Sequence, residues 1–90
     1  MAHADAKALE PYTLLLRQLR GLPGVKEVRP GVFHLRGAAF VHFHDEQGKL
    51  WVDLKKPGGS GFDRYAIDTA PAQRKLVDDA KLRVGRGDDD

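Results

Sequence analysis

Residues 32–55 read VFHLRGAAFVHFHDEQGKLWVDLK, and the alternation within this stretch decides the fold. Successive side chains of a strand point to opposite faces, so the period is two. In Val32–Arg36, Phe33 and Leu35 fall on one face, and Val32, His34 and Arg36 on the other. Gly37 permits a tight reversal. In Ala38–His44, Ala39, Val41 and Phe43 share a face, opposite Ala38, Phe40, His42 and His44. Asp45-Glu46-Gln47-Gly48 reads as a four-residue hairpin loop with Gly at its end. Lys49–Lys55 then sets Leu50, Val52 and Leu54 against Trp51, Asp53 and Lys55. The result is an antiparallel meander with one aliphatic face.

The flanking segments supply the second layer. Leu9, Tyr12, Leu15, Leu16 and Leu19 recur at helical spacing, which predicts a helix over Leu9–Gly21. Pro11 fits its first turn, Gly21 suits its end, and Pro23 prevents its continuation. Val25–Arg29 reads as a short strand closed by the turn dipeptide Pro30-Gly31. Lys56–Gly61 reads as a link, and Phe62–Asp68 as a fourth or fifth strand. Asp68 or Thr69 can cap a last helix whose stripe is Leu76, Val77, Ala80 and Val84, with Gly85 as its stop. The expected fold is therefore α+β: an N-terminal helix, an antiparallel meander of four to five strands and a C-terminal helix. Both helices pack on one sheet face, over a core of Phe33, Leu35, Val41, Phe43, Leu50, Val52 and Leu54. Residues 9–84 form this single domain, between a flexible stretch 1–8 that includes His3 and a disordered tail 85–90.

Composition bounds the function. The 90 residues suit one domain, and 41% hydrophobic with 31% charged residues is the balance of a soluble globule. The longest aliphatic run is Leu14–Leu16, far short of the ~18 residues of a membrane span. Cysteine is absent, which excludes disulfides, thiolate metal sites and a cysteine nucleophile. Asp5, Lys7 and Glu10 stand where the apolar core of a leader would be, so a cytoplasmic location is expected. The net charge of +2 is too small to identify a nucleic-acid protein by its total.

The informative residues lie on the second face. Strand parity gathers His34, Arg36, Phe40, His42, His44, Trp51, Asp53 and Lys55 there. Aromatic rings ringed by polar groups suggest contact with something. Three readings follow. Phe62–Ile67 or a second copy of the chain covers the face, with Trp51 and Phe40 as contacts. Alternatively, Arg36, Lys55 and Lys56 meet phosphates while Trp51 and Phe40 stack on unpaired bases. In the third reading, His42 and His44 lie on one side of a strand and join His34 to hold zinc. Asp53 would then act as a fourth ligand or ring orienter, or as partner to an acid–base histidine. No nucleophile or oxyanion arrangement accompanies them, so a binding module for a protein partner, a second copy of the chain or nucleic acid is expected in preference to an enzyme. Gly58-Gly59-Ser60-Gly61 lacks the Lys-Ser/Thr of a phosphate loop.

The order helix, Leu22-Pro23-Gly24-Val25, Gly37-Ala38-Ala39-Phe40 and Val52-Asp53-Leu54-Lys55 resembles the MmcQ/YjbR-type small proteins over Leu14–Lys55. Phe40-Val41-His42-Phe43-His44 followed by Trp51-Val52-Asp53-Leu54 is also similar to short bacterial proteins and small luciferase-type domains with an H-x-H…D segment. The first resemblance implies an α/β fold and a DNA-binding role. None of them implies an established reaction.

Overall fold

A computed structural model describes residues 2–58 and 60–88. In chain order the elements are β1 (Ala2–His3), α1 (Ala6–Leu9), a 3-10 turn (Glu10–Tyr12), α2 (Thr13–Arg20), β2 (Val25–Arg29), β3 (Val32–Leu35), β4 (Ala38–Glu46), β5 (Lys49–Lys55), β6 (Phe62–Ala66) and α3 (Ala70–Asp88). The sheet runs β2-β3-β4-β5-β6, antiparallel throughout, and β1 pairs with β4 beside this path. The α+β architecture read from the sequence is the one observed. No helix is long and apolar enough to cross a membrane among the described residues.

Both hairpins that hold the meander together turn on two residues with positive φ. Arg36 (φ 55°) precedes Gly37, and Gln47 (φ 56°) precedes Gly48. This twist matches the right-handed twist of the flanking strands. The second loop is thus tighter than the four residues expected, because Asp45 and Glu46 still pair with Leu50 and Lys49. The Asp45 carboxylate accepts from Gly48 N–H at 2.9 Å and closes the turn. At the β2–β3 turn, Gly31 (φ +76°) is indispensable for a second reason. A Cβ there would stand 3.2 Å from both Leu9 Cδ1 and Phe43 Cβ.

All three helices bring their buried residues to one side of the sheet. Leu9 of α1, Leu15, Leu16 and Leu19 of α2, and Leu76, Val77, Ala80 and Val84 of α3 enclose Phe33, Val41, Phe43, Val52 and Leu54 in one core. Leu35 and Leu50, expected in that core, are half-buried at its margin. Polar ties fix the helices across it. Arg20 donates to Glu27, whose other oxygen accepts from Gly31 N–H at 3.1 Å. Arg83 donates to the Lys55 carbonyl and meets Asp63, both at 3.0 Å. Thr69 caps α3 by accepting from Ala72 N–H at 3.2 Å.

The structure departs from expectation at both ends. Residues 2–8 contribute a short strand and most of α1. β3 begins at Val32, opposite His42, so the β4 edge beyond it lacks a partner in β3; Ala2 and His3 fill it opposite Asp45 and His44. Asp5 then caps α1, accepting from Ala8 N–H at 2.8 Å, and Ala4 is buried. Of the helix expected over Leu9–Gly21, Glu10–Tyr12 is a 3-10 turn around Pro11, which has no N–H to donate, and Thr13–Arg20 forms α2, while α1 lies almost wholly before it. At the other end α3 continues through Gly85 and Gly87 to Asp88, although each glycine costs a helix ~1 kcal/mol. The rest of the expected tail, 89–90, lies outside the described residues. Phe62–Ala66, one of the segments offered as a cover for the second face, instead pairs with β5 at the sheet edge.

The departure with the largest consequence is a bulge. Val32 and Phe33 pair with His42 and Val41, but His34 and Leu35 pair with Ala39 and Ala38. β4 therefore holds one residue more than β3, and that residue is Phe40. Ala38 lies opposite Leu35 and shares its core side. Counting from Ala38, Phe40 points to the core; counting from Phe43, so does Val41. Phe40 is 3% exposed and belongs to the helix-covered core, not to the second face. Phe40→Ala should accordingly cost about 3–5 kcal/mol in denaturant unfolding, the loss of a buried ring. A loss under about 1 kcal/mol would return Phe40 to the surface.

α3 is locked to β6 by a pair that titrates. Tyr65 donates its hydroxyl to Asp79 at 2.6 Å, and Lys75 meets the same oxygen at 3.2 Å. Burial first, then this hydrogen bond, push the Tyr65 phenol from 10.0 up to about 12. The same bond, with Lys75, holds Asp79 below its ordinary value. A phenol raised on folding lends stability that is complete below pH 10 and is lost as pH climbs through about 12. Stability measured between pH 9 and 12 should fall along this course, and Tyr65→Phe should flatten it.

Candidate functional site

The face opposite the helices is built by four strand pairings. Directly paired residues share a side. One row across the sheet is Arg29, Val32, His42, Asp53 and Arg64. The next row is His44, Trp51 and Ala66, with His3 in register beside His44. Beyond them Glu46 pairs with Lys49, and towards the other end Lys55 pairs with Phe62, and Lys26 with His34. Bulges in both β2 and β4 re-aim this pattern, the former between Glu27 and Arg29.

Of the residues expected here, the structure brings His42, His44, Trp51 and Asp53 together. Lys55 is half-buried at one end of the same face. His34 is on the face, but its register partner is Ala39 while that of His42 is Val32, so the bulge offsets it from the other two histidines. Arg36 leaves the face altogether, because it occupies the two-residue turn at the β3–β4 hairpin tip. Phe40 is in the core, as argued above. The zinc triad His34, His42 and His44 is thus not assembled. Among the described residues, no three His, Asp or Glu side chains are gathered to hold a metal.

His44 is the unusual member. It is completely buried, and neither ring nitrogen makes a hydrogen bond. Its Nε2 lies 3.2 Å from Asp53 Oδ2, close enough for an ion pair but without hydrogen-bond direction. The His42 ring stands beside it, tilted 42° with centroids 5.6 Å apart. Burial also removes His44 from the set of groups that could touch a partner.

Asp53 is held from its other oxygen, with Arg64 Nε 3.7 Å from Oδ1. Arg64 in turn donates two bonds to the Glu46 carboxylate, at 2.9 and 3.2 Å. The same guanidinium lies 5.6 Å from the Trp51 ring centre, and Lys49 Nζ lies 4.4 Å from it. The indole is a cation–π platform shared by two cations. Phe62 is the exposed ring of this face, 43% accessible at the end of β6.

Sequence reasoning missed Lys26, Arg29, Glu46, Lys49, Phe62 and Arg64. The alternation of Phe62, Arg64 and Ala66 was available as a signal once β6 was set beside β5. The register makes the face cationic, with Lys26, Arg29, Lys49, Lys55 and Arg64 against Asp53 and Glu46. No protein-family model, curated protein or solved structure matches the chain.

The shielding of Trp51 can be tested directly. Since Trp51 is the only tryptophan, its emission reports this face alone. Replacing both Lys49 and Arg64 by Ala should raise the acrylamide quenching constant of Trp51. An unchanged constant would mean that the two cations do not cover the indole.

Proposed function

We propose that the protein is a non-enzymatic binding module whose open sheet face takes single-stranded nucleic acid. The carrying observation is the segregation of side chains: every helix lies on one side, and the other side joins a cationic excess to the rings of Trp51 and Phe62. Phosphates meet Lys26, Arg29 and Lys55, which lie towards the two margins of the face. Unpaired bases stack on the exposed Phe62 ring, at about 1–3 kcal/mol per base, beside the cation-covered Trp51. An open sheet face without a helix on this side suits splayed bases better than a duplex groove. The same cationic excess disfavours self-association through this face and favours an anionic partner over an apolar one. The resemblance to MmcQ/YjbR-type proteins, with its implied DNA-binding role, points the same way. A nucleic-acid partner agrees with the cytoplasmic location expected from the sequence.

Titration with a labelled pyrimidine-rich single strand at two salt concentrations tests this. Binding should quench Trp51 and weaken as salt rises, because counterions are released. Replacing both Lys26 and Lys55 by Ala should make the slope of log affinity against log salt shallower by about 1.4, at ~0.7 per phosphate contact. If Trp51 responds to an acidic polypeptide and to no oligonucleotide at low salt, the partner is a protein and the nucleic-acid reading fails.

A further inference from the structure

The rows of the open face differ in charge. The row of Arg29, Val32, His42, Asp53 and Arg64 carries a carboxylate, and its Arg64 is held by Glu46 and Asp53. The row of Trp51 contains the buried His44. The row beside the β3–β4 hairpin tip is of another kind. Lys26 pairs with His34, His34 with Ala39, and Lys55 with Phe62. β4 and β5 pair as far as Val41 and Leu54, so Lys55, the next residue, comes level with the bulge at Ala39 and Phe40. Across five strands the row reads Lys26, His34, Ala39, Lys55 and Phe62, without a carboxylate. The acidic neighbours in the chain belong to the helix side: Glu27 lies opposite Phe33 and is tied to Arg20, and Asp63 lies opposite Leu54 and is tied to Arg83. Neither the Lys26 nor the Lys55 ammonium is paired with a carboxylate among the described residues.

We infer, resting on the nucleic-acid reading above, that this row is the seat of the bound strand: about four unpaired nucleotides cross the sheet along it, at right angles to the β-strands. The order cation, ring, methyl, cation, ring repeats the alternation of phosphate and base. The two lysines stand three strand intervals apart, as do the two rings, which is about 14 Å at 4.7–4.9 Å per interval. Lys26 and Lys55 take phosphates. Bases stack on the half-buried His34 imidazole and on the exposed Phe62 ring. Ala39 is the low point between them. It is exposed, and the bulge puts its methyl group where regular pairing with His34 would put the Phe40 ring. A strand can therefore pass close to the β4 backbone between His34 and Lys55. The seat thus depends on the bulge twice, once for the small side chain it brings to the surface and once for the large one it takes away.

NMR titration of the full chain with a thymidine tetranucleotide at low salt tests the path. Amide shifts should gather at Lys26, His34, Ala39, Lys55 and Phe62. Trp51 lies two rows away, so its emission should stay unchanged with the tetranucleotide and be quenched only by a strand long enough to pass beyond the seat. Ala39→Glu sets a carboxylate between the two lysines and should weaken binding about tenfold or more, and His34→Ala about fivefold or more. Both variants are checked for folding by circular dichroism. Lys26→Ala should weaken binding more than Lys49→Ala, although each removes one positive charge. Tetranucleotide shifts centred on Trp51 and Asp53, equal losses in the two lysine variants, or undiminished affinity in folded Ala39→Glu would overturn the path and leave nucleic-acid binding standing. No shift with an oligonucleotide of any length would overturn both.

Discussion

One extra residue in β4 sets the chemistry of both sides of the sheet. Phe33 faces Val41 and His34 faces Ala39, so Phe40 has no register partner and turns inward beside Val41. Burying such a ring contributes about 1.5–3 kcal/mol, which offsets the ladder bond lost at the bulge. Parity is reset at the same point. His42 and His44 follow the bulge and share their side with Trp51 and Asp53, while His34 is displaced by a row. Regular pairing in place of the bulge would turn the Phe40 ring onto the open face and move its buried area out of the core.

This explains which parts of the molecule were legible beforehand. Lys49–Lys55 alternates without interruption and pairs with β4 and β6 without a slip, so Trp51 and Asp53 could be assigned from the sequence alone. The stripes of α2 and α3 were equally plain, because leucines and valines recur at helical spacing. Ala38-Ala39-Phe40 carries no such marker. Two alanines are compatible with either side of a sheet, and a bulge is defined by counting residues on two strands at once. The pairing of Ala2–His3 is hidden for a related reason. It exists because β3 leaves part of the β4 edge open, a fact of the partner strand and not of the local sequence. Arg64 and Phe62 were readable as alternating residues of a strand. Their membership of the site depended on that strand's register with β5.

Charge is distributed to suit this division. On the helix side, ionic groups are tied to the scaffold: Arg20 to Glu27, Arg83 to Asp63, and Lys75 and Tyr65 to Asp79. On the open side, Arg64 links Glu46, Asp53 and the Trp51 ring, and so fixes the carboxylate that faces His44. Lys26 and Lys55 stand at a distance from this cluster, at positions paired with His34 and Phe62. The centre is thus neutralised and ordered, whereas cationic groups remain towards the margins. An anion crossing the face would meet charge at its margins and rings nearer its middle.

The imidazole at position 44 is what packing alone does not account for. It lies between the His42 ring and Trp51, fully enclosed, where a leucine or phenylalanine would fill similar space with no polar atom to desolvate. Leaving a buried polar group unsatisfied costs about 1–3 kcal/mol, a sizeable share of the stability of a domain this small. Asp53 does not share that cost, since its carboxylate is partly accessible and lies 3.7 Å from Arg64 Nε. Among the described residues, His44 is the buried side chain for which neither hydrogen bonding nor core packing accounts.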